Sequence, residues 1–167
     1  MSIRPVHNDD FDAIAAITNH YIQTSAIHFG YEPVSAAELR AGWSSHPKHP
    51  YLVDDRGEIV AYAKAGPWRE RAAYGWTAEV GIYVADGVRG RGIGGALYVA
   101  LLDACVAAGF RSAVAGITMP NDISVALHAR LGFTAVGTFR DAGWKRGSWH
   151  DVAFFQKMLS TSTEPPT

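Results

Sequence analysis

The chain has 167 residues, 48% of them hydrophobic and 19% charged, with a formal net charge of −1. These values are typical of one folded domain with a sizeable core. A near-neutral chain without a basic stripe argues against a nucleic-acid partner. The single cysteine, Cys105, excludes an internal disulfide and a cysteine-rich zinc site. No apolar run is long enough to span a bilayer, and the N-terminal residues lack the apolar segment of a secretory signal. We therefore expect a cytoplasmic protein without a membrane partner.

Apolar periodicity and turn residues predict eleven elements in the order β, αα, βββ, α, β, α, ββ. Seven strands are predicted, at 3–6, 51–53, 59–65, 76–84, 112–117, 134–139 and 151–158. Four helices are predicted, over 11–22, 36–43, 93–108 and 121–131. Ser35 and Glu38 form a capping-box pattern at the start of the second helix. This order predicts one α/β (α+β) domain over 1–159, with a single mixed, mostly antiparallel sheet flanked by helices, and a disordered tail over 160–167.

A glycine-rich turn joins the strand at 76–84 to the helix that begins near Ile93. Glycines let backbone N–H groups approach an anion closely, and a helix start adds unpaired donors and the positive end of a dipole. Arg89 and Arg91 add positive charge. The segment therefore predicts a pyrophosphate-binding site.

Three nucleotide-binding motifs could explain this segment. A Walker loop needs Gly-Lys-Ser/Thr, which is absent. A Rossmann fingerprint needs an early βαβ unit with an acid on the next strand, but this motif is mid-chain and residues 111–116 contain no acid. The run Arg89-Gly90-Arg91-Gly92-Ile93-Gly94 instead matches in full the motif Gln/Arg-x-x-Gly-x-Gly/Ala of the GNAT superfamily of N-acetyltransferases. A glycine-rich turn without a ligand is the remaining alternative.

Over nearly the whole chain, from Ile3 to about Leu159, the sequence resembles the phosphinothricin/methionine sulfoximine N-acetyltransferase family within that superfamily. The blocks that carry the resemblance are Asn19-His20-Tyr21, Glu32-Pro33-Val34, 65–69, 74–79, Pro120-Asn121-Asp122, 127–133 and 145–152. The resemblance implies a GNAT fold, acetyl-CoA as co-substrate and a homodimer. It also implies acetyl transfer by direct attack of the α-amino group of a small amino-acid-like acceptor, as in resistance to a herbicide or antibiotic.

Glu79 is the candidate general base. It is the only acid in the strand at 76–84, and a half-buried strand glutamate has a pKa raised toward the range useful for taking a proton, directly or through water. The resemblance supports this role, because the family places its catalytic glutamate here. A structural glutamate, exposed or paired with Arg69, is the alternative.

His128 is the second catalytic candidate. Asn121, Ser124 and His128 are spaced 0, 3 and 7 along the last helix, so we expect them on one face that lines a cleft. Ile123, Leu127 and Leu131 form a separate apolar stripe that we expect to pack. In many GNAT enzymes a tyrosine in the position of His128 protonates the leaving thiolate, and an imidazole could donate there or accept the amine proton. A solvated or capping histidine is the alternative, and sequence does not decide between Glu79 and His128 as the main base.

The remaining candidate residues divide into a coenzyme set and an acceptor set. The resemblance places acetyl-CoA on Ile82, Tyr83, Val84, Arg89, Gly90, Arg91, Gly92, Ile93, Gly94, Gly95, Asn121 and Ser124. The acceptor candidates are Phe29, Trp68, Arg69, Tyr74 and Thr77, although most of these aromatics could equally belong to the core. An arginine could clamp a substrate carboxylate with paired hydrogen bonds. No histidine spacing indicates a metal site.

Two other functions fit the same sequence. A peptide or protein N-acetyltransferase would prefer an open acidic groove, which the aromatic-rich acceptor set does not indicate. A non-catalytic acyl-CoA sensor would keep the glycine turn but could lose Glu79 and His128, and both are present.

Overall fold

The computed structural model describes residues 3–88, 90 and 92–164. The strands are β1 (Ile3–Pro5), β2 (Tyr51–Asp55), β3 (Ile59–Pro67), β4 (Thr77–Val84), β5 (Ser112–Thr118), β6 (Thr134–Lys145) and β7 (Ser148–Met158). The helices are α1 (Phe11–Thr24), α2 (Ala36–Ser44), α3 (Ile93–Ala107) and α4 (Asp122–Arg130). This order confirms the predicted one. Ser35 caps α2 as expected. Its side-chain oxygen accepts a hydrogen bond from Glu38 N–H, and the Glu38 carboxylate accepts one from Ser35 N–H.

One seven-stranded sheet has the order β1-β2-β3-β4-β5-β7-β6. All neighbouring strands are antiparallel except β4 and β5. The β4–β5 pairing is also short, because it joins Thr77, Ala78 and Glu79 to Ser112, Ala113 and Val114 and then ends. From Val80 onward β4 pairs with β3 alone among the described strands. The sheet therefore opens at Glu79 and leaves one edge of β4 uncovered.

Alternation along β4 divides the core between the two faces of the sheet. Ala78 and Val80 are buried in the larger cluster, beneath the buried side of α3 that includes Leu97 and Leu101. Tyr83 points to the opposite face and packs against the smaller cluster beneath α1. Glu79 shares the face of Tyr83, so the fold places this carboxyl on the α1 side of the sheet.

The last hairpin is longer than the sequence patterns predict. β6 continues to Lys145 and β7 begins at Ser148, with a register shift between Phe139 and Gly143. Asp141 has a positive φ of 48° there, and its backbone N–H donates to the Asp151 carboxylate at 2.9 Å. This irregularity breaks the period-2 pattern, which explains why the extension was not predicted from the sequence.

Cys105 lies on the buried side of α3 with none of its side chain exposed. Burial raises the pKa of its thiol to about 12. Among the described residues, no helix combines the length and the apolar character that crossing a membrane would require.

Candidate active site

Glu79 lies at the point where β4 and β5 separate. Its neighbours Ala78 and Val80 are buried beneath α3, whereas its own side chain is open to solvent on the other face. The protein around the carboxyl nevertheless removes part of its hydration, and this burial raises the pKa of Glu79 above its ordinary value. The fold therefore brings a proton-accepting group to the mouth of the gap.

Two cations act in the opposite direction on Glu79. The positive charges of Arg69 and then Lys64 lower its pKa, but their combined effect is smaller than that of burial. Neither cation forms a salt bridge with Glu79 in the described part of the chain. The glutamate-arginine pair considered from the sequence is thus a longer-range interaction, and the carboxyl stays open to a ligand.

The coenzyme candidates follow the open edge of β4 into the start of α3. Ile82, Tyr83 and Val84 are half-buried at the end of β4. Gly90 and Gly92 have φ of 81° and 73°, a backbone conformation that L side chains rarely adopt, so glycine is required in this turn. Gly92 is the N-cap of α3 and supplies no side chain to the helix start. The first N–H groups of the helix, at Ile93, Gly94 and Gly95, therefore lack a side-chain cap.

Arg89 and Arg91, the two predicted cations of this turn, lie outside the described residues. Asn121 is half-buried at the N-cap of α4, where its side-chain oxygen accepts the N–H of Ser124 at 3.1 Å. Ser124 is likewise half-buried. Both of these predicted coenzyme residues thus lie at the start of α4, and the Asn121 oxygen already has a local partner.

The structure corrects the predicted faces of α4. Ile123, expected to pack, is 83% exposed, whereas His128, expected to line a cleft, is only 3% exposed. His128 packs among the rings of Tyr98, Phe133 and Phe155. Its Nδ1 is 2.7 Å from the Ser124 carbonyl oxygen and its Nε2 is 3.0 Å from the Tyr98 hydroxyl. Burial lowers the pKa of this imidazole. Leu127 and Leu131, the other two residues of the predicted stripe, do pack against the larger core cluster, so the prediction fails only at Ile123 and at the burial of His128.

Three of the predicted acceptor residues form a wall of one open cleft. The rings of Trp68 and Tyr74 meet edge to face at 5.2 Å, and the Arg69 guanidinium lies 5.0 Å from the Trp68 ring centre. Together with Glu70 and Arg71 they line a cleft of about 530 Å³. Trp68 and Arg69 follow directly on the end of β3, where Gly66 is opposite Glu79, and the positive charge of Arg69 lowers the pKa of that carboxyl.

The other two acceptor candidates lie elsewhere. Phe29 packs on the last hairpin, where its ring fills the space above Gly143 and lies 6.3 Å from the His150 ring. Thr77 is hydrogen-bonded across the paired part of β4 and β5, with its hydroxyl 3.0 Å from that of Ser112. The five residues therefore do not form one pocket wall.

Sequence analysis did not identify two residues that lie beside the candidate site. Lys64 lies on β3 opposite Gly81, close enough to Glu79 for its positive charge to lower the pKa of the carboxyl. Tyr98 is buried in α3 and bonded to His128. The alternation of side chains along β3 would have predicted that Lys64 lies on the same face as Glu79 only if the register between β3 and β4 had been known. No local pattern pairs Tyr98 with His128, which is 30 residues away.

Within the described residues, no group of three or more histidine, cysteine or acidic side chains is arranged to hold a metal ion. Comparison with known proteins shows the family to which this split sheet and glycine turn belong. The Acetyltransferase (GNAT) family model matches residues 14–133, and the chain belongs to this family.

The relatives of this chain are similar to it along almost their whole length. A phosphinothricin N-acetyltransferase of Streptomyces viridochromogenes is 42% identical, with 99% of this chain and 91% of the relative covered. An L-methionine sulfoximine/L-methionine sulfone acetyltransferase of Pseudomonas aeruginosa is 34% identical, with 99% and 98% covered. A phosphinothricin acetyltransferase from Sinorhizobium meliloti, solved in complex with acetyl-CoA, has a TM-score of 0.94 at 35% identity and covers 99% of this chain and 92% of its own. The resemblance inferred from sequence blocks is thereby confirmed.

Proposed function

We propose that this protein transfers an acetyl group from acetyl-CoA to the α-amino group of a small amino-acid-like acceptor. The observation that carries the proposal is the opening of the sheet at Glu79, with an open β4 edge that leads to the uncapped start of α3. A strand edge offers hydrogen-bonding groups to an amide-containing arm, and a helix start offers N–H donors to a diphosphate. Both features match the chemistry of coenzyme A.

The donor would lie along Ile82, Tyr83 and Val84, with its diphosphate at Gly90, Gly92 and the first turn of α3. Arg89 and Arg91 would add charge to this site, and Asn121 and Ser124 would contact the pantetheine arm from α4. A backbone N–H in the range 82–84 would stabilise the negative charge that develops on the thioester oxygen.

Glu79 would act as the general base. It takes a proton from the acceptor ammonium, directly or through one water, and the freed amine attacks the thioester carbonyl carbon. The new C–N bond forms, the C–S bond breaks, the attacking nitrogen loses a further proton to become an amide, and the departing thiolate takes up one proton. The raised pKa of Glu79 suits this step, because a carboxylate with a pKa closer to neutrality is a stronger base.

His128 would have a structural role next to this site. Both of its ring nitrogens have partners within the protein, so we assign the imidazole to the positioning of α4 against Tyr98 on α3. Direct proton donation to the thiolate by His128 would need one of these bonds to break.

The acceptor would occupy the cleft walled by Trp68, Arg69 and Tyr74. The names of the relatives support phosphinothricin or methionine sulfoximine as accepted compounds, and such a reaction would confer resistance to them. An arginine suits the α-carboxylate that any amino acid presents, because its planar donors bind a carboxylate in pairs. Arg69 is therefore the first choice for that contact. Phe29 and Thr77 would contribute to acceptor binding from positions outside this cleft.

We further infer that the protein works as a cytoplasmic homodimer. Large apolar side chains remain exposed along the last hairpin, including Val136, Phe139, Trp144 and Trp149, which are 48% to 65% exposed. Clusters of exposed apolar residues are typical of protein interfaces.

The decisive experiment measures release of coenzyme A thiol from acetyl-CoA by the purified protein, with phosphinothricin and methionine sulfone as acceptors. Glu79→Gln should lower kcat/KM by about 10²- to 10⁴-fold, as expected for loss of a general base. The matched control Glu58→Gln, on an exposed turn, should keep full activity. In the wild type, kcat/KM should decrease as the pH falls through the raised pKa of Glu79, and this dependence should be absent from Glu79→Gln.

Other outcomes would favour the alternative functions. Binding of acetyl-CoA without turnover of any amine would support a sensor. Turnover of peptides, with no activity on free amino acids, would support a peptide N-acetyltransferase. Full activity of Glu79→Gln would remove Glu79 from the mechanism.

A further inference from the structure

Lys64 lies on the same face of the sheet as Glu79. In the antiparallel pairing of β3 and β4, Gly66 is opposite Glu79 and Lys64 is opposite Gly81. Residues that are opposite each other in such a pair, and those two positions along, point to the same face. Lys64 and Glu79 are therefore diagonal neighbours on the α1 face of the sheet.

The surroundings of Lys64 leave its ammonium group open to a ligand. Gly81 has no side chain, and a Cβ built there would touch only the edge of the Tyr83 ring, at 4.0 Å. No acidic side chain in the described ranges forms a salt bridge with Lys64. Lys64 is an exposed residue of β3, but the protein around its ammonium group removes part of its hydration and lowers its pKa, an effect that the attraction of Glu79 only partly offsets.

His28 adds a polar group to the same neighbourhood. Its Nδ1 accepts the N–H of Gly30 at 3.0 Å, so the proton of the neutral ring resides on Nε2, which is left as a donor. Its ring lies 6.1 Å from that of Tyr83, and the positive charge of Lys64 contributes to the lowering of its pKa, after burial. Together with the cleft residues Arg69, Glu70 and Arg71, the surroundings of Glu79 thus hold three cationic side chains and two carboxylates, which leaves an excess of positive charge.

An amino-acid acceptor brings either one or two anionic groups to these cations. If Arg69 binds the α-carboxylate and Glu79 faces the amino group, a neutral side chain leaves Lys64 without an anion. An acceptor with a phosphinate or carboxylate on its side chain supplies that anion. A charge-assisted hydrogen bond of this kind is worth considerably more than a neutral one.

We propose that Lys64 determines acceptor specificity, by binding the anionic side chain of the acceptor and so favouring phosphinothricin-type amino acids over those with neutral side chains. The inference rests on the proposed function, and it deepens it by naming the substrate class and the residue that selects it.

The test compares two acceptors on wild type, Lys64→Met and Lys64→Arg. Phosphinothricin has an anionic side chain and methionine sulfone a neutral one. Lys64→Met should lower kcat/KM about 10- to 100-fold for phosphinothricin and less than about 3-fold for methionine sulfone. Lys64→Arg keeps the charge and should restore part of the preference. The control is Lys48→Met, an exposed lysine that contacts Trp76 and Phe110.

The ratio of the two kcat/KM values separates this role from an effect on the base. Loss of the Lys64 charge also raises the pKa of Glu79, but that effect is common to both acceptors and cancels in the ratio. An equal loss for both acceptors, or no loss, would overturn the inference and leave the proposed function intact. A wild type that acetylates neither compound would refute the proposed function and this inference with it.

Discussion

The His128 imidazole has a defined hydrogen-bonding arrangement. A carbonyl oxygen can only accept, so Nδ1 donates to Ser124, and Nε2 of the neutral ring accepts from the Tyr98 hydroxyl. A second proton, on Nε2, would require the Tyr98 hydroxyl to accept instead of donate, and its own hydrogen would lose this partner inside the core. The neutral form is therefore the one that fits the fold, in agreement with the lowered pKa.

This arrangement predicts a loss of stability in acid. The folded-state pKa of His128 lies below the ordinary value of 6.5, so the unfolded chain takes up a proton first as the pH falls. The free energy of unfolding should thus be highest above about pH 6.5 and decrease as the pH falls through the lowered folded pKa, with His28 and His49 contributing in the same direction. Urea unfolding at pH 7.5 and pH 5.5 measures the difference.

The variant His128→Gln should show a smaller difference between the two pH values than the wild type, whereas the exposed His7→Gln should resemble the wild type. An unchanged difference in His128→Gln would contradict the assigned arrangement.

At the scale of elements, the tip of the β6–β7 hairpin is hydrogen-bonded to the end of α1 and to the loop that follows it. The buried Lys145 donates to the carbonyl oxygens of Ile22 at 2.7 Å and His28 at 2.6 Å. Arg146 donates to the Gln23 carbonyl oxygen at 3.0 Å. Two cations therefore meet the negative end of the α1 dipole and its unpaired carbonyls. The loop that carries His28 is held in place by the hairpin.

Lys145→Met should loosen this loop. It removes two charge-assisted hydrogen bonds and leaves two carbonyl oxygens without them, at a cost of about 1–3 kcal/mol in the free energy of unfolding. Limited proteolysis should cut within 25–31 faster than in the wild type. Lys157→Met is the control, since Lys157 lies on β7 away from α1, and equal cleavage rates in both variants would contradict the role of Lys145.

The sequence predicted the elements better than the contacts between them. Strands and helices follow from local periodicity, and Glu79 stood out as the only acid of its strand. The hairpin tip was missed because Gly143 and the turn at Arg146 and Gly147, where both residues have positive φ, interrupt the alternation. The contacts of Lys145 are separated by 117 and 123 residues, and no local pattern reports them. Likewise, Lys64 and Glu79 become neighbours only through the strand register.

At the scale of the whole molecule, β6 forms one edge of the sheet and is exposed over nearly its full length. Phe139 is 64% exposed, and the rings of Trp144 and Trp149 pair across the hairpin at 5.3 Å. An apolar, uncovered edge strand favours association with another chain. This surface is the basis of the proposed homodimer.

Phe139→Lys should weaken that association, because a charge at the centre of the surface would lose its hydration on burial. Light scattering after size-exclusion chromatography should give twice the chain mass of 18.0 kDa for the wild type and a value nearer 18.0 kDa for the variant. Val106→Lys, at an exposed apolar position on α3, is the control and should remain dimeric. A monomeric wild type would refute the homodimer.

The enclosed position of Cys105 has a practical consequence for spectroscopy. A maleimide dye should not react with the native protein, because its sulfhydryl group is buried. A cysteine engineered on the loop around His28 would therefore be the sole labelling site. Fluorescence would then show whether that loop moves when substrates bind, without first removing the natural thiol.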